Sequence, residues 1–281
     1  MRSLTTLPCC LLMTASILMP GVAFAFHLPL WELGAGIGYI HAPLYRGSTT
    51  TKDYFIPFPY LAYRGKTFRS DEEGLYSKIF DTDRINLDIS IAGNVPVPSD
   101  VEGARKGMNK LDPVGELGPQ MGIVLWKPKD PSYEYGLFLP VRAVLSVGSP
   151  LVKYRGWVFS PFLQMGKRFG VDTDWWRYRL SIGPIFADTR YHSYFYEVNP
   201  EDVTGTRTEY HPGGGYSGSR LTMTLSHYTK HYFFGAFVRV DDLASAAFEN
   251  SPLVETKHYL VTGFAFAWTI RASKTMAPHV H

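Results

Sequence analysis

This sequence has few cysteines, a small net charge and few long apolar runs. The two cysteines, Cys9 and Cys10, lie close to the start of the 281-residue chain, and the formal net charge is only +3. So weak a charge does not favour nucleic acid as a partner. After residue 25, no apolar run reaches the roughly 18 residues that a membrane-spanning helix needs. The sequence therefore gives no support for a helical membrane protein or a nucleic-acid-binding protein.

The first 25 residues have the pattern of an export signal. Arg2 supplies a positive start, an apolar run covers Leu7–Val22, and Ala23-Phe24-Ala25 is a small-x-small cleavage site. We predict a signal peptide at 1–25 that is cleaved near Ala25. Its removal leaves no cysteine, which excludes disulfide scaffolds, thiol catalysis and cysteine metal sites.

Arg220–Asp241 has the pattern of a hairpin between an apolar and a polar medium. Leu221 and Leu225 stand among apolar residues that alternate with polar ones, and the alternation resumes after a tight turn. A period of two places each set of side chains on its own face of a strand. Phe233 and Phe237 are exceptions, since they fall on the polar face.

The same alternation recurs in many segments along the chain. Loops rich in proline, glycine and charge separate some of these segments at 95–112 and 200–217, and a third loop carries a predicted helical turn at Leu243–Phe248. The further predicted strands are Trp31–Tyr39, Ile85–Ala92, Glu116–Leu125, Tyr133–Ser146, Trp157–Arg168, Trp176–Phe186 and His258–Arg271.

The alternate glycines of Trp31–Tyr39 predict room in the lumen for a loop. The next run, Tyr54–Arg64, holds Pro57 and Pro59, which are hard to place in the middle of a regular sheet, and its face is ambiguous. Thr67–Phe80 is either one long bulged strand or two short ones. Short turns on one side, long loops on the other and both chain ends on the turn side require an even number of strands. We predict twelve strands if Thr67–Phe80 forms two short ones, and ten if it does not span.

These patterns predict an all-β fold, a transmembrane antiparallel up-and-down β-barrel over residues 26–271 with a tail at 272–281. A soluble β protein is the alternative. In the barrel, apolar side chains face lipid and polar ones face a lumen. The predicted lumen charges are Glu32, Asp88, Glu116, Glu134, Arg142, Arg168, Arg177, Arg179, Arg220 and Arg239.

The lumen charges allow two functions. Acids come mainly from the N-terminal half and arginines from the C-terminal half, so we expect them on opposite sides, where their field would select small polar or zwitterionic solutes. Alternatively, the charges pair with one another, or with a folded-in loop, and seal the bore. Aromatic residues near strand ends on the apolar face predict interfacial girdles: Tyr133, Tyr135, Trp157, Trp176, Tyr178, Tyr232 and Trp268.

No group of residues predicts catalysis. Ser226 and His227 leave opposite faces of one strand, so they cannot form a nucleophile–base pair. His192 could join a triad only through loops whose geometry the sequence leaves open. We predict no enzyme activity, no cofactor and no metal, since ligand spacing is missing from the loop and tail histidines His211, His258, His279 and His281.

Several short motifs, in their order and spacing, resemble the MipA/OmpV family of Gram-negative outer-membrane proteins. The resemblance covers nearly the whole chain after the signal peptide. The motifs are the Trp-Glu-Leu-Gly-Ala-Gly-Ile-Gly-Tyr run at Trp31–Tyr39, Pro57-Phe58-Pro59-Tyr60 with Tyr63-Arg64-Gly65, Gly115-Glu116-Leu117-Gly118, and Ser251-Pro252-Leu253-Val254.

The resemblance implies a non-enzymatic barrel in contact with outer-membrane lipid. MipA-type members are described as scaffolds that link a lytic murein transglycosylase to a penicillin-binding synthase. OmpV-type members are described as osmotically regulated porin-like or adhesin-like proteins, and no motif here decides between the two. Such barrels usually end on an aromatic residue, whereas here a tail follows Arg271.

Overall fold

The structure is a computed structural model. It describes residues 28–65, 68–71, 74–77, 80–82, 84–94, 97, 103–148, 152–171 and 173–277. The predicted signal peptide, part of the 95–112 loop and the last four residues of the predicted tail lie outside these ranges.

Strands dominate the described residues, and one α-helix, α1 (Thr189–Tyr196), interrupts them with a short 3₁₀ helix at Pro200–Asp202. The strands are β1 (Trp31–Pro43), β2 (Thr51–Arg64), β3 (Phe68–Asp71), β4 (Gly74–Ser77), β5 (Phe80–Asp81), β6 (Ile85–Asn94), β7 (Val114–Trp126), β8 (Tyr133–Val147), β9 (Val152–Phe159), β10 (Phe162–Val171), β11 (Asp174–Ala187), β12 (Gly215–Tyr228), β13 (Tyr232–Asp242) and β14 (His258–Ala272).

The strands form one antiparallel sheet in which neighbours in the chain are neighbours in the wall. β9 and β10 share the place between β8 and β11. β1 pairs with β14, and on the other side β3 pairs with β2 and β4 lies beside β6, so the sheet returns on itself. The prediction of an all-β, antiparallel up-and-down barrel is confirmed. The number of spanning strands stays a prediction, because residues 78–79 between β4 and β5 are outside the described ranges.

The connections differ between the two ends of the barrel. We call one end the turn rim, because its connections are tight: 82–84, 127–132, 172–173 and 229–231. The other end is the loop rim, with long connections at 44–50, 95–113, 188–214 and 243–257. The first and last described residues meet at the turn rim, where Leu30 N donates to Thr275 O (2.9 Å) and Ala277 N donates to Leu28 O (2.8 Å). Residues after β14 therefore pair with residues before β1.

Large apolar side chains form a continuous row on the outside of the wall. Strand register places Leu163, Ile182, Leu221, Val240 and Leu260 opposite one another across β10–β14. All but Leu221 are 42–54% exposed. On the inner face of these strands Arg177 and Asp241 are buried, whereas Lys167, near the turn rim, is on the outer face with Tyr178. Soluble proteins show the opposite distribution, so this exterior requires an apolar medium.

The register of β2 explains how it accommodates two prolines. Arg64 N donates to Leu30 O (2.8 Å) and Leu44 N donates to Thr50 O (3.0 Å), so the even-numbered residues of β2 turn their backbone groups toward β1. Pro57 and Pro59 therefore turn theirs to the opposite edge. On that edge, among described residues, β2 pairs only through its last two residues with β3. The prolines consequently cost no hydrogen bond of the β1–β2 ladder.

Gly36 of β1 and Gly263 of β14 make room for aromatic rings rather than for a loop. A Cβ on Gly36 would collide with the ring of Phe58, and one on Gly263 of β14 would lie 3.0 Å from Cζ of Phe237. The prediction of space for a loop is therefore wrong at Gly36. Phe237, an exception to the alternation in the sequence, turns inward because the neighbouring strand offers a glycine there.

Candidate functional site in the lumen

The structure places all ten predicted lumen charges on the inner face of the wall, as the register and burial of their strands require. Five of them are buried: Glu32, Asp88, Glu116, Arg142 and Arg177. Three charged residues that belong to the same interior were not among those predicted. They are Arg46 from the loop rim, Arg64 at the end of β2 and Asp241 at the end of β13.

Acids and bases pair directly on the β7–β8 side of the lumen. Arg142 Nε donates to Glu116 Oε2 (2.9 Å), and its terminal nitrogens donate to Ser90 Oγ (3.1 Å) and Ser160 Oγ (2.8 Å). Charge-assisted bonds of this length are among the stronger ones in proteins. Acids and arginines are therefore not separated into two opposite walls here, contrary to the expectation from the sequence.

A second network lies on the lower inner wall, near the turn rim. Glu32, with a fully buried carboxylate, accepts hydrogen bonds from Tyr60 (3.2 Å), Arg64 (3.4 Å) and Tyr228. Trp175 stacks on Tyr228 with ring centroids 5.4 Å apart. The guanidinium groups of two predicted lumen residues lie over the Trp175 ring: Arg168 and Arg177. This network ties β1 and β2 to β10–β12 across the inside of the barrel.

At the loop rim, the long connections fold over the mouth as a packed cap. We define the cap as α1 with the connections 44–50, 103–113, 197–214 and 243–257. Its apolar cluster includes Tyr45, Phe195, Tyr196 and Phe248, and the rings of Tyr196 and Phe248 stack 3.7 Å apart. The segment of the predicted helical turn, Leu243–Phe248, forms hydrogen-bonded turns within the cap, since Ala246 N donates to Leu243 O (3.0 Å), and it does not form a helix.

The helix of the cap has a local cause in the sequence. Asp188 precedes α1, and its carboxylate accepts a hydrogen bond from Tyr191 N (2.9 Å), as an N-cap residue does. Tyr191 and Phe195, four residues apart, then face the same apolar cluster. Both signals are visible in the sequence, but they are too short to stand out from the loop around them.

Two buried titratable groups of α1 are uncharged. Burial raises the pKa of Tyr191 to about 12, so its hydroxyl stays neutral. Burial lowers the pKa of His192, whose Nδ1 lies 2.6 Å from the carbonyl oxygen of Gly213. The His192 ring packs against Phe248 at 4.8 Å. Protonation of this ring would place a charge inside an apolar cluster.

Arg46 connects the cap to the wall beneath it. Its Nε donates to the Tyr259 hydroxyl (3.1 Å), and its terminal nitrogens donate to Ser217 Oγ (3.0 Å) and Ser217 O (2.7 Å). Tyr196 in turn donates from its hydroxyl to Arg46 O (2.9 Å). Below it, Asp241 is fully buried and serves as the counterion.

Asp241 has three arginine partners. Its Oδ1 lies 2.9 Å from Nε of Arg220 and 3.8 Å from a terminal nitrogen of Arg46, and its Oδ2 lies 2.8 Å from Nε of Arg239. Strand register accounts for two of these partners, since Arg220 is paired with Asp241 and Arg239 is on the same strand face. The sequence does not reveal the third, which comes from a distant loop.

The predicted girdle residues lie on the outer face, most of them near the turn rim. Tyr133 and Tyr135 stack on each other, and Trp268 is 62% exposed beside Phe266. Trp157 lies toward the loop rim instead. Trp126, 61% exposed at the end of β7, belongs to the same set and was not predicted. The remaining predicted members are Trp176, Tyr178 and Tyr232.

The described residues contain no group of three or more histidine, cysteine or acidic side chains placed to hold a metal ion. Ser226 faces inward, while His227 stacks on Trp176 at 4.1 Å on the outer face. No helix in the described part of the chain is long and apolar enough to cross a membrane.

These features define a class: a closed antiparallel β-barrel with an apolar exterior, a charged interior and a folded cap over one mouth. The family described as MltA-interacting protein MipA matches residues 33–270, and the chain belongs to this family. The suspected MipA/OmpV membership is thereby confirmed.

Curated proteins and solved structures provide two further comparisons. No curated protein matches the sequence. Among solved structures, a bacterial polysaccharide outer membrane secretin is similar at 10% identity and a TM-score of 0.40, covering 86% of this chain and 99% of the other. An outer membrane channel from Pseudomonas putida F1 is similar at 11% identity and 0.35, covering 90% and 100%. The CymD monoaromatic hydrocarbon channel is similar at 10% and 0.35, covering 87% and 89%.

Proposed function

We propose that this protein is a non-enzymatic barrel in the outer membrane of a Gram-negative bacterium, exported by a signal peptide that is cleaved near Ala25. We further propose that it acts there as a scaffold for enzymes that synthesise and hydrolyse murein. The observation that carries the membrane assignment is the row of exposed apolar side chains around a wall whose charges are buried inside. The family description, which names an interaction with MltA, supports the scaffold role.

The cap over the mouth and the network below it also support a scaffold over a transporter. The cap packs its own apolar cluster into the mouth, and the lower network ties distant strands together across the inside. Such a barrel offers partners its rims rather than its bore.

The turn rim is the surface that we propose for the murein enzymes, because in a barrel of this class the short turns lie on the periplasmic side. Its described side chains are predominantly basic and would attract acidic partner surfaces. The exposed cations are Arg84, Lys127, Lys129, Lys230, Arg271 and Lys274, against the acids Asp130 and Asp174.

Crosslinking in intact envelopes tests the scaffold role. We expect the native protein to capture a murein transglycosylase or a penicillin-binding protein. The double variant Lys127→Glu, Lys129→Glu should capture at least several-fold less, whereas Lys153→Glu, an exposed charge toward the loop rim, should behave as the native protein does. Equal capture by all three proteins would contradict docking at the turn rim.

A porin-like channel for small polar solutes is the second candidate function. The observation in its favour is that Arg179, Arg220 and Arg239 turn toward the lumen with side chains 19%, 33% and 27% exposed. A planar-bilayer recording on purified protein decides between the two. Frequent, reproducible conductance steps would favour the channel, and their absence over many insertions would favour the sealed scaffold. The structure gives no specific support for the adhesin-like role that the family resemblance also implies.

A further inference from the structure

Three arginines on the neighbouring strands β11, β12 and β13 face the lumen below the cap. In the register of β11–β13, Arg220 is opposite Asp241, Arg239 is opposite Thr222, and Arg179 is opposite Thr224. The three arginines with these two threonines are here called the arginine patch.

The patch has hydrogen-bond donors that the protein itself does not use. Arg220 donates from Nε to Asp241 Oδ1 (2.9 Å). Nε of Arg239 lies 2.8 Å from Asp241 Oδ2 without forming a hydrogen bond, and Nε of Arg179 lies 3.7 Å from Glu134 Oε1. Among described residues, the terminal nitrogens of these three guanidinium groups donate to no protein atom. All three side chains remain partly exposed to the lumen, so a solute there could reach them.

Charge is unbalanced at the same place. Three guanidinium groups, those of Arg46, Arg220 and Arg239, surround the single carboxylate of Asp241, which leaves a formal excess of two positive charges. The carboxylate is fully buried and Arg46 nearly so. Excess charge in a poorly hydrated place is costly unless an opposite charge compensates it. An anion in the lumen would provide that compensation.

We propose that the arginine patch binds a compact oxyanion of the phosphate or sulfate type. The planar fork of arginine donates two parallel hydrogen bonds to such a group, which a lysine cannot do. Hydroxyl groups of the two threonines add donors between the arginines. The anion would bridge β11, β12 and β13 and neutralise the charge beneath the cap. Both free phosphate and the phosphate group of a small ester carry this chemistry.

Calorimetric titration of the purified full chain in detergent tests the proposal. Inorganic phosphate is titrated at pH 7 in a chloride buffer of constant ionic strength, and glycerol phosphate is titrated separately. We expect saturable binding of at least one of the two; a preference for glycerol phosphate would identify an ester as the source. Arg239→Gln should weaken binding at least ten-fold, and Lys153→Gln, at an exposed charge toward the loop rim, should leave it unchanged.

Two controls keep the result interpretable. Heat-modifiable gel mobility reports whether each variant still forms a barrel; if Arg239→Gln does not, Thr222→Val, its partner in register, takes its place with an expected several-fold loss. No saturable binding of either anion by the native protein would overturn the proposal. Binding by folded Arg239→Gln or Thr222→Val with native affinity would overturn it as well.

Discussion

The buried pair between Glu116 and Arg142 offers the sharpest test of the lumen network. Its side chains are 9% and 10% exposed, and Arg142 uses all three of its nitrogen atoms to link four neighbouring segments of the wall. Glu116→Ala removes the carboxylate and leaves the guanidinium with only the hydroxyl groups of Ser90 and Ser160. The charge on Arg142 would then be buried without compensation.

The expected cost follows from the geometry. Breaking a buried ion pair by removing one partner typically costs 3–5 kcal/mol. Because two serine hydroxyls still solvate Arg142, we expect the lower end, about 3 kcal/mol, which is roughly two orders of magnitude in the unfolding equilibrium. Replacing both residues with methionine removes the charges together and should restore stability to within about 1.5 kcal/mol of the native value.

Denaturant unfolding of the barrel in lipid vesicles, followed by tryptophan fluorescence, measures both values. Gel mobility without boiling confirms that each variant folds. A Glu116→Ala variant within about 0.5 kcal/mol of the native protein would show that water reaches Arg142 freely, and the description of this side of the lumen as a closed, paired network would be wrong.

Three further predictions concern the wall, the membrane face and the cap. Gly118→Ala places a Cβ against the backbone of the neighbouring strand and should destabilise the barrel by about 1–3 kcal/mol, whereas Gly115→Ala meets nothing within 4 Å and should be tolerated; equal stability would refute the close approach. Leu163→Arg, in the exposed apolar row, should cost roughly 2–4 kcal/mol in vesicles, while Gln164→Arg, on the inner face, should cost far less; reversed costs would invert the assignment of faces. Because burial depresses the pKa of His192, the unfolded chain takes up the proton first as pH falls, so stability should decline below about pH 6.5. His192→Gln should flatten the dependence of the melting midpoint between pH 7.5 and 5.5, and an unchanged slope would show that other groups cause it.

The strands could be predicted because lipid outside and water inside impose a strict period of two on each one. The same logic identified the inward charges, including Arg220 and Arg239. It also left Pro57 and Pro59 unexplained, since only the pairing of β2 with β1 reveals which edge of the strand they face.

The cap could not be predicted in the same way. Arg46 finds Ser217 and Tyr259 at distances of 171 and 213 residues along the chain, and no local pattern encodes such contacts. α1 was missed for a different reason, because its N-cap and a single pair of aromatic residues are weak signals within a long loop. The conformations of the rim loops depend on contacts between the loops, whereas the strands follow a regular alternation of lipid and water.

The seam between β1 and β14 has a consequence for how the protein is made. Its pairs, such as Ala35 with Trp268, join the first and the last strand of the barrel. The barrel therefore cannot close until β14 has been synthesised and has paired with β1. Contacts of such large sequence separation form slowly, because the chain must first pay the entropy of bringing its ends together. A nascent or truncated chain therefore exposes two unpaired strand edges, which can pair with other chains. We expect chaperones to cover these edges until β14 pairs with β1.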